Sequence, residues 1–289
     1  MNNIKPYNND NFAFHTENIS KHTKALQSHN LDKIDQIDIK IAFLNYEINM
    51  YHNTLNAISY QKSLIPDDKR KLYTATLFTN SNTDTNNLFY KMKQFIRDEY
   101  NQTVDLCPYC NHDRAHTLDH IIPKKGKTGY AEFCDLPINL IPMCDSCNQY
   151  KGDDWIDDNK NLLFVNLYID KIPNVKFLRA TAEMKDNLPK ITFEFYADNI
   201  NDPDLATRLN NTYSKLKIFD LCYNTAAAKS ELVQLQKIIK KEKDKRIPKE
   251  KIREQLLETI DDNNNNFREI IQKAYVNNLE VFDYLYNYN

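Results

Sequence analysis

Apolar residues recur at three- and four-residue steps over Leu31, Ile34, Ile37, Ile41, Leu44, Ile48, Tyr51 and Leu55. This spacing puts side chains on one face of an α-helix, so it predicts a long helix from Leu31 to about Tyr60. A second helix is expected from Pro66, with proline in its first turn and Asp67 and Asp68 as favourable early acids. A third is expected from about Thr85 to Tyr100. The first 30 residues are polar, rich in Asn and His and weakly periodic, and read as a partly ordered lead-in.

The pattern then changes. "TLDHII" reads as a short strand stopped by Pro123, "LPINLIPMC" returns, and "CNQYKGDDW" begins a helix, giving strand, strand, helix in order. Two β-branched and aromatic runs, "VKFLRATAEM" and "KITFEFYAD", flank "KDNLPK" and predict a hairpin. Helices resume at Pro203, with Leu205, Leu209, Leu216 and Phe219, and at Pro248, with Ile252, Leu256 and Leu257. "DDNNNN" breaks the chain before a last helix at about Phe267. The expected class is α+β, mainly α, in three regions: helical residues 1–100, a central domain at 101–160, and a hairpin plus helices at 161–289.

With 289 residues, 41% hydrophobic and 27% charged, the chain has enough apolar material for a core and the composition of a globular protein. "MNNIKPYNND" lacks the charged start and apolar run of a secretory signal, and no stretch approaches the roughly 18 apolar residues of a membrane span. A cytoplasmic protein with no membrane partner is expected. Three glycines leave no phosphate-cradling loop, which argues against a nucleotide-binding domain. The net charge of −2 argues against an indiscriminate polyanion binder. Charge is local: "KIIKKEKDKRIPKEKIRE" is the most basic stretch, and a solvated helix face is its simplest reading.

Six cysteines in a reducing compartment point to metal or redox roles rather than disulfides. Four form two CxxC pairs, Cys107/Cys110 and Cys144/Cys147, the spacing of a four-cysteine zinc site. With sulfur in all four positions the ion has no place for water, so this Zn²⁺ is structural. Cys134 and Cys222 stand off that spacing and read as core or loop residues. His112, just past the first knuckle, reads as a loop residue. Between and beside the pairs lie "HTLDHIIP", "INLIP" and Asn148, and the strand, strand, helix order can bring Asp119, His120 and Asn148 together.

These residues carry a resemblance. CxxC, then DHIxP, then NLxPxCxxCNxxK, matched at Cys107, Cys110, Asp119, His120, Pro123, Asn139, Leu140, Pro142, Cys144, Cys147, Asn148 and Lys151, is similar to the zinc-ribbon HNH endonucleases. The resemblance implies a ββα-metal HNH core clamped by the four-cysteine zinc, and metal-dependent hydrolysis of phosphodiester bonds. It implies His120 as general base, Asp119 and Asn148 as ligands of a catalytic Mg²⁺ or Mn²⁺, and Asn139 as a brace that orients His120. The residue types suit the chemistry: an imidazole with a pKa near 6.5 can deprotonate water at cellular pH, and carboxylate and amide oxygens are hard ligands. Singly, each has a plainer alternative. His120 beside an acid reads equally as a satisfied buried histidine, and Asn148 as a helix cap.

Candidates for substrate contact are His116, Lys124, Lys125, Lys127 and Lys151, each with an ordinary surface or structural role as the alternative. DNA is the substrate the resemblance implies, with RNA as the other nucleic acid. The resemblance also extends to nuclease subunits of bacterial antiphage and restriction systems, with an ATPase as partner, and a double-strand break by one small site invites a homodimer. A zinc ribbon that binds nucleic acid or protein without cutting is the alternative from another class. The Asp119, His120 and Asn148 set speaks against it, because a pure binder has no need of it.

Overall fold

A computed structural model of the chain describes residues 11–28, 65, 67–79, 94, 98, 106–111, 113–115, 117–125, 129–159, 161–223, 226–260 and 265–288. The helix expected over 31–60, most of that over 85–100, and His112, His116, Lys127 and the side chain of Cys222 lie outside the described residues. Two compact units emerge, Met1–Ile172 and Pro173–Asn289.

In the first unit, α1 (Asn11–Gln27) and α2 (Asp67–Thr74) are followed by a π-helical turn, Ala75–Thr79. Strand β1 (Thr117–His120) pairs antiparallel with β2 (Leu140–Met143), with His120 opposite Leu140 and Thr117 opposite Met143. Between the strands run two 3₁₀ turns, Ala131–Phe133 and Pro137–Asn139; α3 (Asp145–Lys151) follows β2 at once. All four residues of β2 are buried, so this strand is covered on both faces and reads as a continuous apolar run rather than an alternation. Ile122, Tyr130, Phe133, Leu136, Ile138, Trp155 and Leu162 form one core cluster. A second joins Leu26 of α1, Ile65, and Tyr73 and Leu77 to Ala131 and Cys134. The second cluster therefore ties the N-terminal helices to the 3₁₀ turns between β1 and β2.

Within the lead-in expected to be partly ordered, Asn11–Gln27 form helix α1. Its periodicity is weak because the buried face includes His15 and Asn18, whose Nδ1 and Nδ2 bond the buried carboxylate of Asp135. Polar residues bury when they are hydrogen-bonded, and a pattern of apolar spacing does not register them.

In the second unit, β3 (Leu178–Lys185) and β4 (Leu188–Phe195) form the expected hairpin. Its turn residues are Asp186 and Asn187, both at positive φ (51° and 61°), as a two-residue type I′ turn requires. Pro189 sits within β4 opposite Met184 and takes no part in the turn. Helix α4 (Pro203–Lys215) has proline in its first turn and Asp202 as N-cap, accepting from the backbone N–H of Asp204 and Leu205. Then come α5 (Ile218–Tyr223), α6 (Ala226–Asp244), α7 (Lys249–Thr259), α8 (Phe267–Asn277) and α9 (Leu279–Asn287). Aromatic rings of Phe177, Phe193, Phe195, Tyr213, Phe219 and Phe267 meet between the hairpin and the helices. The exposed lysines of the basic stretch line the outer side of α6 while Leu235 and Ile239 are buried, a solvated helix face. No described helix is long and apolar enough to cross a membrane.

The last helix expected from Phe267 is two helices, broken at Asn278. That residue caps α9 by accepting from Val281 N–H at 3.0 Å, while its Nδ2 donates to the Ala182 carbonyl of β3 at 2.8 Å. Asn278→Ala removes both bonds and is expected to cost about 1–2 kcal/mol of stability; denaturant unfolding of the variant checks it.

Candidate active site

Two knuckles frame the site. The Cys107 carbonyl accepts from Asn111 N–H, and Asn111 takes the left-handed conformation (φ 57°) that closes the first knuckle. The second opens α3, where Cys144 Sγ accepts from Cys147 N–H at 3.4 Å. The ligand atoms of Cys107, Cys110, Cys144 and Cys147 lie within 4.8 Å of one another, all buried, and Cys110 Sγ stands 3.8 Å from Cys144 Sγ. A tetrahedron with Zn–S bonds of about 2.3 Å has edges of about 3.8 Å, so the four sulfurs fit a zinc ion. Cys134 is not part of the cluster: it is buried in the core, and burial pushes its thiol well up.

Strand β1 ends in Asp119 and His120. Its alternation sends Thr117 and Asp119 to one face, and α3 lies across that face. Asn148 Nδ2 donates to Thr117 Oγ1 at 3.2 Å, and one turn later Lys151 Nζ lies 3.2 Å from Asp119 Oδ2. Lys151 is 2% exposed and Asp119 18%. The alternative of Lys151 as a solvated helix residue is therefore overturned: lysine buries when paired, and Asp119 is its pair. Burial pushes the Asp119 carboxyl up, and the Lys151 ammonium opposes that shift. Asn148 binds with its Nδ2, which leaves Oδ1 as the atom it can offer to a cation.

His120 faces the other way and is 4% exposed. Its Nε2 lies 2.9 Å from the Cys134 carbonyl oxygen. A carbonyl only accepts, so Nε2 carries the hydrogen and Nδ1 keeps its lone pair. Lys124 Nζ sits 3.5 Å from Nδ1 and 3.8 Å over the Phe78 ring, and that ring packs on the imidazole at 4.6 Å between centroids. Burial, and then the Lys124 charge, hold the His120 pKa well below its ordinary value. At neutral pH the imidazole is therefore an uncharged base of one tautomer.

Asn139 is fully buried and uses its whole amide. Its Oδ1 accepts from Ile122 N–H at 2.7 Å, and its Nδ2 donates to the carbonyls of Ile122 (3.0 Å) and Phe133 (2.9 Å). Its own carbonyl accepts from Ile121 N–H. Asn139 thus joins the exit of β1 to the turn that ends in Cys134, whose carbonyl holds His120.

A cleft of about 210 Å³ opens at this place. Asp119, His120, Lys124, Lys125, Lys151 and Asp153 line it, and its three ammonium groups suit a phosphate. Asn148 is not among the lining residues; it stands on the same helix, one turn back from Lys151.

Residues 107–154 match the family model of the HNH endonucleases. No curated protein and no solved structure matches the chain. The match supports a nuclease-type function for this segment, and its four cysteines could hold a metal ion.

Within the HNH segment, Asp119, His120, Lys124, Lys125 and Lys151 come together, Asn139 braces them from the core, and Asn148 borders the strand beside them. Three contributors escaped notice in the sequence. Phe78 lies far from the motif and gave no local signal. The Cys134 contribution is a backbone carbonyl, to which side-chain identity is silent. Asp153 follows the motif in "KGDD", where an acid beside Lys151 was the available hint. Glu132 accepts from Ile65 N–H at 3.3 Å and so pins the N-terminal region to the 3₁₀ turn, a structural duty.

Two outcomes follow from this geometry. Cys144→Ser is expected to lose the bound zinc, about one ion per chain in the parent, and with it the cooperative unfolding of the first unit; elemental analysis and calorimetry read both. Asn139→Ala takes the side-chain partner from the buried N–H and carbonyl of Ile122 and one of the donors from the Phe133 carbonyl, at an expected cost of about 2–4 kcal/mol, read by thermal unfolding.

Proposed function

We propose that the protein is a metal-dependent endonuclease of ββα-metal type that hydrolyses phosphodiester bonds in DNA. The observation that carries this reading is the state of His120: Nε2–H pinned to a carbonyl, Nδ1 left as the acceptor that Lys124 faces, and a lysine-lined cleft beside it. A satisfied structural histidine needs no such cleft.

Nδ1 of His120 takes one proton from a water molecule as the water oxygen bonds to phosphorus. The P–O bond to the leaving sugar breaks on the opposite side, and that oxygen takes up a proton from solvent water, while His120 returns its own to solvent. Lys124, 3.5 Å from Nδ1, is drawn to the non-bridging oxygens when the phosphate enters, which frees the lone pair. Lys125 adds positive charge at the mouth. Asp119 and Asn148 would supply hard oxygens to Mg²⁺ or Mn²⁺; the buried Asp119 Oδ2, which among the described residues has Lys151 beside it and no hydrogen-bond partner, fits a carboxylate kept for a cation. Such an ion supplies stabilisation of the charge that develops on the phosphoryl group. His116 and Lys127 complete the proposed set of substrate contacts.

The nuclease function is assigned to residues 101–160, with 1–100 and 161–289 as flanks that choose a target or partner. Service in bacterial antiphage defence or restriction, in the cytoplasm, beside an ATPase and as a homodimer where both strands are cut, follows from the resemblance. A net charge of −2 supports recruitment by another subunit over free association with DNA.

Cleavage of supercoiled plasmid is the test. The purified chain with Mg²⁺ or Mn²⁺ is expected to nick or linearise it, EDTA to stop it, and zinc-loaded His120→Ala to lose at least about a hundredfold in rate. Wild-type protein that binds DNA and RNA but cuts neither, alone or with an ATPase partner, would sink the reading in favour of a zinc-ribbon binding module. The working form is the neutral imidazole, and burial lowers the pKa of His120, so neutral base persists as pH falls below about 6.5. Activity is therefore expected to hold to below that pH before its acid limb begins. An acid limb above pH 7 would contradict the assignment.

A further inference from the structure

His120 is held by two groups from different parts of the first unit. The Cys134 carbonyl takes its Nε2–H, and the Phe78 ring lies on its face. The neighbours of those two groups share one partner. Asn18 of α1 donates from Nδ2 to Asp135 Oδ2 at 2.7 Å and to the Leu77 carbonyl at 3.3 Å. One amide nitrogen thus joins the residue after Cys134 to the residue before Phe78. His15, one turn earlier on the same helix, bonds the other oxygen of Asp135 at 2.6 Å. Asn18 and Asp135 have no exposed surface and His15 has almost none.

An amide has two N–H donors on one atom, so among small side chains Asn alone can reach two acceptors this way. Apolar packing would hold α1 in place as well as a buried polar cluster does, and often better. What the polar cluster adds is direction: each bond fixes a distance and an angle, and both are passed to the walls of the imidazole site. We propose that Asn18 is a positioning residue for His120, setting the tautomer and orientation of the base through Asp135 and Leu77, with His15 holding Asp135 in register. The catalytic consequence rests on His120 being the base; the tautomer consequence does not.

The full zinc-loaded chain, labelled with ¹⁵N-histidine, gives a direct readout of tautomer, with His120→Ala identifying the signal. Wild type is expected to show His120 as a single Nε2–H form. Asn18→Ala, with zinc retained, is expected to show a mixture of both tautomers and, on plasmid, kcat lowered by about tenfold with KM unchanged, since small misplacements of a catalytic group cost that much and more. Asn18→Ser, which keeps one donor of two, is expected to lie between. Wild-type His120 signals and kcat in a zinc-loaded Asn18→Ala protein would overturn the proposal. So would loss of fold in both variants, which would make Asn18 a residue of the core. A tautomer mixture in a protein that cuts nothing even as wild type would uphold the positioning role while removing the nuclease reading.

Discussion

Four sulfur atoms drawn to within 4.8 Å are the constraint on which the central segment depends. Between the knuckles the chain makes two four-residue strands and two single-turn 3₁₀ helices, none of which is stable on its own. A cross-link of this kind substitutes binding free energy for core area. Cys144 and Cys147 also begin α3, so the ion would fix the start of the helix that carries Asn148 and Lys151 to the face of β1 bearing Thr117 and Asp119. Position and chemistry are thereby coupled: the same short helix closes the metal site and lines the cleft.

Charge in the cleft is arranged by burial as much as by sign. Asp119 and Lys151 neutralise each other at 3.2 Å, while Lys124 and the apolar surroundings suppress protonation of His120. A histidine in water would be part cation near its ordinary pKa of about 6.5. Here burial and the Lys124 charge keep the imidazole neutral, and the Phe78 ring lies against both the imidazole and the Lys124 ammonium. The near-zero net charge of the whole chain conceals this local concentration of ammonium groups.

Much of this was legible in the sequence because its signals are short. The CxxC spacing, the Asp119–His120 pair and Asn139 each act over a few residues. The hairpin and the helix starts at Pro203 and Phe267 follow from local turn chemistry. What could not be read depends on distant partners. Helix α1 is invisible to apolar periodicity because its inward face carries His15 and Asn18, and their partner, Asp135, lies over a hundred positions away. Lys151 read as a substrate contact or a surface residue, and neither reading anticipated its burial against Asp119. Asn278 is an unremarkable polar residue in the sequence, yet it divides one apolar pattern into two helices because its side chain also binds β3.

The atom that fixes the tautomer of His120 belongs to the main chain. Every amino acid at position 134 would present the same carbonyl, so the codon there is free to answer only to volume, and the Cys134 thiol, shielded from solvent, fills space without chemistry. An inventory of replaceable side chains would pass over this contact entirely. Inheritance of the contact resides instead in the turn that aims it, distributed over the residues that hold positions 133 to 135 in place.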